Sequence, residues 1–308
     1  MIPTTGQYLV IGAVAAAVTF VLTPLVTRIA HRKGIVVQPD ERRIHKVPTP
    51  DIGGIAMYLG FLAAMATARL LDWFDPLFAR NGEPRGVVLA ATVVFFVGFW
   101  DDLRDLSAPA KVFGTVCGAV VLVLTGVTMF YFRLPLIDVW LLSTDWVPLI
   151  TVLWVLGMTQ AINLIDGLDG LAAGVVAIGS GAFFISSQHL AGLDLLTQPN
   201  IGPLVAIITV GICVGFLPHN FNPARIFMGD GGALLLGLLL AVSTSVVGGR
   251  ADPEEQEVIG QSFFFLAPLF VPLIILGVPI LDTAWAIVRR ATTGGGVATA
   301  DKKHLHHR

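Results

Sequence analysis

The chain has 308 residues, 55% hydrophobic and only 13% charged, with a mean hydropathy of +0.80 and a formal net charge of −2. That balance excludes a soluble two-domain protein and points to several membrane-spanning helices. The net charge itself says little about partners, and the two cysteines, Cys117 and Cys213, lie inside apolar runs, with neither a disulfide framework nor metal-ligand spacing.

Apolar run length predicts nine spans. They are Tyr8–Ala30, Ile52–Leu71, Gly86–Trp100, Val112–Met129, Val147–Ile162, Leu171–His189, Ile201–Leu217, Gly231–Val247 and Ser262–Val288. The first lacks a positive leader and a small-residue cleavage site, so it reads as a retained helix, not a signal peptide. The stretch Phe130 to Leu142 (FYFRLPLIDVWLL) reads either as a short outer hairpin or as another membrane segment. Pro268, Pro272, Gly277 and Pro279 predict a kinked or broken last helix. Gly86–Trp100 and Val147–Ile162 would be only about 22–24 Å long at 1.5 Å per residue, short of a core of about 30 Å. That places the polar residues after them at or just below the headgroup plane.

Lysine and arginine set the orientation. With the amino terminus outside, one face carries fourteen of the nineteen basic residues and the other carries Arg69, Arg80, Arg85, Arg133 and Arg250. The richer face is expected to be cytoplasmic. The polar clusters RRIHKVPTPDIGG (42–54), DDLRDLS (101–107), NLIDGLDG (163–170), HNFNPARIFMGDGG (219–232) and HLHHR (304–308) all fall on it. The outer loops, Asp72 to Arg85 among them, are blander.

Asp101 and Asp102 are adjacent acids at a helix end. Carboxylates so close repel unless a cation is near, which suggests a Mg²⁺ site; the alternative is a solvated pair near Arg104 and Lys111. Asp230 opens the eighth span among glycines, either as a helix cap or as a share of that metal site. Asp166 and Asp169 stand three apart, on one face if helical, or in glycine-rich turn chemistry with one acid capping the next helix. Asn220 and Asn222 either bond a base or sugar or form turns before Pro223. His304, His306, His307 and Arg308, with Arg42, Arg43, His45 and Lys46 of the first loop, suit diphosphate recognition better than zinc. The bland reading of the first loop is the positive-inside signal.

In order and on one face, DDLRDLS, NLIDGLDGLAAG, NPARIFMGDGG and HLHHR resemble the polyprenyl-phosphate N-acetylhexosamine-1-phosphate transferase family, from Arg42 to Arg308. HLHHR and Asp105 look more like the branch using UDP-N-acetylglucosamine than the branch using UDP-N-acetylmuramoyl-pentapeptide. The resemblance implies an all-α polytopic protein of the bacterial inner membrane, with its active site on the cytoplasmic face. It implies one transferase domain over 1–308, without the one or two helices that follow the histidine motif in the family. The implied reaction moves N-acetylglucosamine-1-phosphate from UDP-N-acetylglucosamine to undecaprenyl or decaprenyl phosphate, releasing UMP. The rival readings are the muramoyl-pentapeptide reaction and a cation-coupled transporter.

By the family's motifs, Asp101, Asp102 and Asp230 would hold Mg²⁺, with Mn²⁺ as a substitute. Asp101, Asp102, Asp166, Asp169, His306 and His307 would serve catalysis. Lys46, Arg43, Asn163, Asn220, His304 and Arg308 would bind substrate. Membrane lipids are implied partners, a homodimer is allowed, and nucleic acid is not expected.

Overall fold

The computed structural model describes residues 3–36, 48–80, 82–129, 131–134, 138–196, 198–247 and 277. Arg43, Lys46, His304, His306, His307, Arg308 and all of the expected ninth span except Gly277 lie outside the described residues. The helices are α1 (Thr5–Lys33), α2 (Gly54–Leu70), α3 (Asp75–Arg80), α4 (Glu83–Arg104), α5 (Ala108–Leu124), α6 (Val147–Ile165), α7 (Leu171–Gly192), α8 (Gly202–Asn220) and α9 (Gly229–Val247). Eight of the nine expected spans are therefore helices. Among the described residues six helices are long and apolar enough to cross a membrane; α2 and α5, at 17 residues each, are shorter.

Two sequence expectations change. First, α4 runs 22 residues and α6 runs 19, or about 33 and 28 Å at 1.5 Å per residue. Apolar run length stopped at Trp100, but the helix continues through Asp101–Arg104, so the paired acids ride on its last turn. Second, the stretch after α2 is not a plain loop. The chain bends by 86° at Leu71 into a 3₁₀ turn, Asp72–Phe74, and α3. Of the two readings of the 130–142 stretch, the described residues support the paired strands: β1 (Tyr131–Leu134) and β2 (Asp138–Leu141) pair antiparallel, with Phe132 opposite Trp140.

Helix α9 is the centre of the bundle. Every one of its residues except Asp230 is buried, and α2, α4, α6, α7 and α8 surround it. Its sequence, GDGGALLLGLLLAVSTSVV, is apolar all round, as a helix without a solvent face should be. Small residues let neighbours close in. A Cβ at Gly237 would stand 2.5 Å from Thr159 Cα on α6. Along the α1–α8 seam, a Cβ at Gly211 would stand 2.3 Å from Gly12 O, and one at Gly215 2.3 Å from Ala16 O. Such glycine spacing is the usual device for close helix approach where lipid supplies no hydrophobic drive.

The bundle has two ends of different character. At one, the last turns of α4, α6 and α8 meet the first turns of α2, α5, α7 and α9. Gly53 N donates to Phe227 O and Gly54 N to Met228 O there. At the other end, Thr5 bonds Gln188, and buried Asn200 donates to Val246 O. The acidic motifs of the sequence belong to the first end.

Candidate functional site

The site is built on the contact between α4 and α9. Gly98 of α4 permits it: a Cβ there would lie 2.5 Å from the carbonyl carbon and oxygen of Asp230 and 2.6 Å from Gly231 N. One turn on, Asp102 meets the open amino end of α9. Its Oδ1 accepts from Asp230 N at 2.7 Å and its Oδ2 from Gly231 N at 3.0 Å. A carboxylate on the first amides of a helix satisfies two orphan donors and sits at the favourable end of the helix dipole. Gly229, at φ +68, makes the approach: a Cβ there would stand 2.5 Å from Asp51 O and 2.6 Å from Asp102 Oδ2. Capping at this helix is thus done by Asp102 from a distant helix. Asp230 is left to face outward.

Asp230 faces a lysine. Lys111, on the first turn of α5, places its ammonium 2.5 Å from Asp101 Oδ2 and in contact with Asp230 Oδ2. Asp101 is further fixed by Leu106 N, which donates to its Oδ1 at 2.6 Å. The side chains of Lys111, Asp101 and Asp230 are 19%, 13% and 26% exposed, so the ion pairs are only partly screened by solvent. Two carboxylates from different helices therefore converge on one cationic centre.

The second acidic motif forms the turn between α6 and α7. Asp169 Oδ2 accepts from Asn222 Nδ2 at 3.0 Å and Ala224 N at 2.9 Å, tying that turn to the loop after α8. Asn220 ties the same pieces from beneath. It is 2% exposed, its Oδ1 accepts from Gly170 N at 3.1 Å, and its Nδ2 donates to Ile226 O at 3.0 Å. Both ends of its amide are thus engaged by backbone. Asp166, just past the end of α6, has its carboxyl pushed from 3.8 up to about 8 by burial, then by the charges of Asp51 and Asp230. Asp166 thus holds a proton more firmly than a free carboxylate does, and a nearby cation would oppose that shift. Asn163, half-buried, lies one turn before it on α6.

The donor chemistry at the cationic centre suits a hard divalent ion, with the carboxylates of Asp101 and Asp230 converging where a cation already sits. Among the described residues no group of three His, Cys, Asp or Glu could hold a metal alone. Substrate oxygens would have to complete the coordination, which is how Mg²⁺ is usually held.

The structure brings Asp101, Asp102 and Asp230 together, as their sequence context suggested, and sets Asp166 within the field of Asp230. Two members escaped the motif reading. The sequence reads Lys111 only as a loop charge, in one reading beside the Asp101–Asp102 pair, although it is the lone charged residue in the apolar helix APAKVFGTVCGAVVLVL. Such a residue usually has a job. Asp51, in the 42–54 loop, lies close enough to raise the proton affinity of Asp166, whereas the sequence reading of that loop rests on its basic residues and His45.

Known proteins share this arrangement of sequence. A family model described as Glycosyl transferase family 4 matches residues 85–248. The chain is 38% identical to the decaprenyl-phosphate N-acetylglucosaminephosphotransferase of Mycobacterium leprae, over 97% of this chain and 75% of that protein. It is 34% identical to the probable undecaprenyl-phosphate N-acetylglucosaminyl 1-phosphate transferase of Bacillus subtilis, over 96% and 75% of the two chains. It is 35% identical to the phospho-N-acetylmuramoyl-pentapeptide-transferase of Desulforudis audaxviator, over 91% and 83%.

Proposed function

Because the chain belongs to glycosyl transferase family 4, we propose that it transfers N-acetylglucosamine-1-phosphate from UDP-N-acetylglucosamine to a polyprenyl phosphate, releasing UMP. The observation that carries this reading is the meeting of Asp101, Asp230 and Lys111 at one end of the bundle, among relatives named for that transfer. A cation-coupled transporter would instead set its carboxylates near mid-membrane, between broken helices. The excess of lysine and arginine in the loops at this end supports a cytoplasmic site in the inner membrane.

The chemistry is a direct phosphoryl transfer. An oxygen of the lipid phosphate forms a bond to the β-phosphorus of the nucleotide sugar. The bond from that phosphorus to the bridging oxygen breaks, and the electron pair leaves on UMP. A phosphate monoester has a second pKa near 6, so the nucleophile is already ionised at neutral pH. Dianion plus dianion gives dianion plus dianion, with no proton left over, so the reaction makes no demand for a strong base. The difficulty is bringing two anions together.

Lys111 supplies positive charge for that task, held in place by Asp101 and Asp230. Asp102 fixes the amino end of α9 and with it the position of Asp230. Asp169 and Asn220 hold the turn after α6 against the loop after α8, which keeps Asp166 within reach of Asp230's charge. Mg²⁺, when bound by Asp101, Asp230 and phosphate oxygens, would neutralise charge on the diphosphate and on departing UMP. Arg43, Lys46 and the 304–308 cluster remain proposed phosphate and sugar contacts.

The test is a side-by-side assay of the purified protein with a polyprenyl phosphate, Mg²⁺ and either nucleotide sugar. UDP-N-acetylglucosamine should give UMP and a lipid-linked sugar diphosphate. Product only from UDP-N-acetylmuramoyl-pentapeptide would assign the other donor. Neither product, with solute accumulation in vesicles, would favour transport.

A further inference from the structure

Helix α1 contains a proline, Pro24, in its interior. Proline has no N–H, so the carbonyl four residues back, that of Phe20, loses its helical partner. Phe20 is 47% exposed on the outer surface of the bundle, and its own helix offers that carbonyl no replacement donor. The structure supplies one from another helix. His219 Nε2 lies 3.2 Å from Phe20 O, and the two rings pack with centroids 5.0 Å apart. This requires the tautomer or charge state that carries a proton on Nε2, and neutral and protonated imidazole can both provide it.

The contact is the next rung of the α1–α8 ladder. Gly211 lies against Gly12 and Gly215 against Ala16, and His219 follows at Phe20 in the same register. The rung also stands at the root of the loop that builds the site. His219 O accepts from Arg225 N, and the next residue, Asn220, holds Gly170 N and Ile226 O. Further along, the loop gives Asn222 and Ala224 N to Asp169, gives Phe227 N to Pro50 O, and leads into α9, whose second residue is Asp230.

We propose that His219 is a positioning residue for the transfer reaction: its hydrogen bond to the carbonyl freed by Pro24 pins the start of the 221–228 loop, and so fixes the setting of Asp169 and Asp230. It touches no reacting atom. The inference rests on the transferase reading only through the assay used to test it.

The experiment measures kcat, KM for the nucleotide sugar and thermal stability of the whole protein in lipid nanodiscs, for His219→Phe, His219→Gln, Pro24→Ala and the Pro24→Ala/His219→Phe pair. Phenylalanine keeps the ring on Phe20 and removes the donor, so kcat should fall by roughly tenfold, the worth of about one net hydrogen bond. Glutamine restores an N–H of similar reach and should recover most of that loss. Pro24→Ala gives Phe20 O a partner within its own helix, so His219→Phe should cost less in that background than alone. Wild-type kcat in His219→Phe would overturn the proposal. So would a His219→Gln enzyme as slow as His219→Phe, or equal costs of His219→Phe with and without Pro24. An inactive wild type would instead count against the transferase reading. Should His219→Phe fail to fold, the Pro24→Ala pair carries the same comparison, because its orphan carbonyl is satisfied.

Discussion

Lys111→Met should lower kcat for UMP release by roughly 10²–10³-fold, the scale seen when a fixed electrostatic group at a reacting centre is removed. The substitution keeps the length and apolar stem of the side chain and deletes only its charge. It also leaves Asp101 and Asp230 facing each other without the ammonium that both now contact. Removing one partner of a half-buried ion pair leaves the remaining charge uncompensated and costs stability, though less than the roughly 3–5 kcal/mol of a fully buried pair because solvent screens part of it. The variant should therefore melt earlier than wild type, and added Mg²⁺ should recover more of its stability than it adds to wild type. Lys111→Arg is not a mild control, since the larger planar guanidinium would move the charge and spread the two carboxylates that a compact ammonium holds together. Turnover of Lys111→Met within a few-fold of wild type would remove Lys111 from the site. The checks are a steady-state UMP assay and melting curves with and without Mg²⁺.

Gly98→Val is the second large effect, and it acts through geometry alone. The new Cβ would stand 2.5 Å from the carbonyl of Asp230 and 2.6 Å from Gly231 N, and backbone atoms cannot rotate out of the way. Helices α4 and α9 must then part. Overpacking of this kind costs about 1–3 kcal/mol. The catalytic cost should be larger: a displacement on the order of 1 Å at a reacting centre is worth about 10²-fold. Asp102 would also lose its grip on the amides of Asp230 and Gly231. Gly157→Ala is the matching control, because a Cβ there meets nothing within 4 Å. It should leave kcat unchanged. Comparable activity in Gly98→Val and Gly157→Ala would mean that the α4–α9 contact does not set the site.

The sequence carries a good part of this picture, and the missing part has a physical pattern. Apolar run length finds eight helices, because lipid-facing and core-facing residues are equally apolar. It misplaces ends wherever a helix outlasts its apolar run, as α4 does at Asp101–Arg104. It also misses the turn of helix at Asp75–Arg80, which is too short and polar to show a period. Asp101, Asp102 and Asp230 stand out because acids in apolar company are expensive. What each acid does is settled by partners far away in the chain. Asp230 reads locally as a cap for its own helix, yet the cap is Asp102, 128 residues earlier. Lys111 was hidden by a general rule, since every basic residue near an inner loop helps set orientation. Asn220 reads as a turn residue or a base reader, and only the tertiary fold shows its amide bridging Gly170 and Ile226.

The central claim is that Asp101 and Asp230 work as one unit around a shared cation. It is tested most directly by kcat for UMP release in Asp101→Asn, Asp230→Asn and the double variant. Groups acting as a unit are strongly non-additive, so the double variant should be within a few-fold of the slower single one. If the two losses instead multiply, or either single variant keeps near-wild-type turnover, the carboxylates do not share one centre.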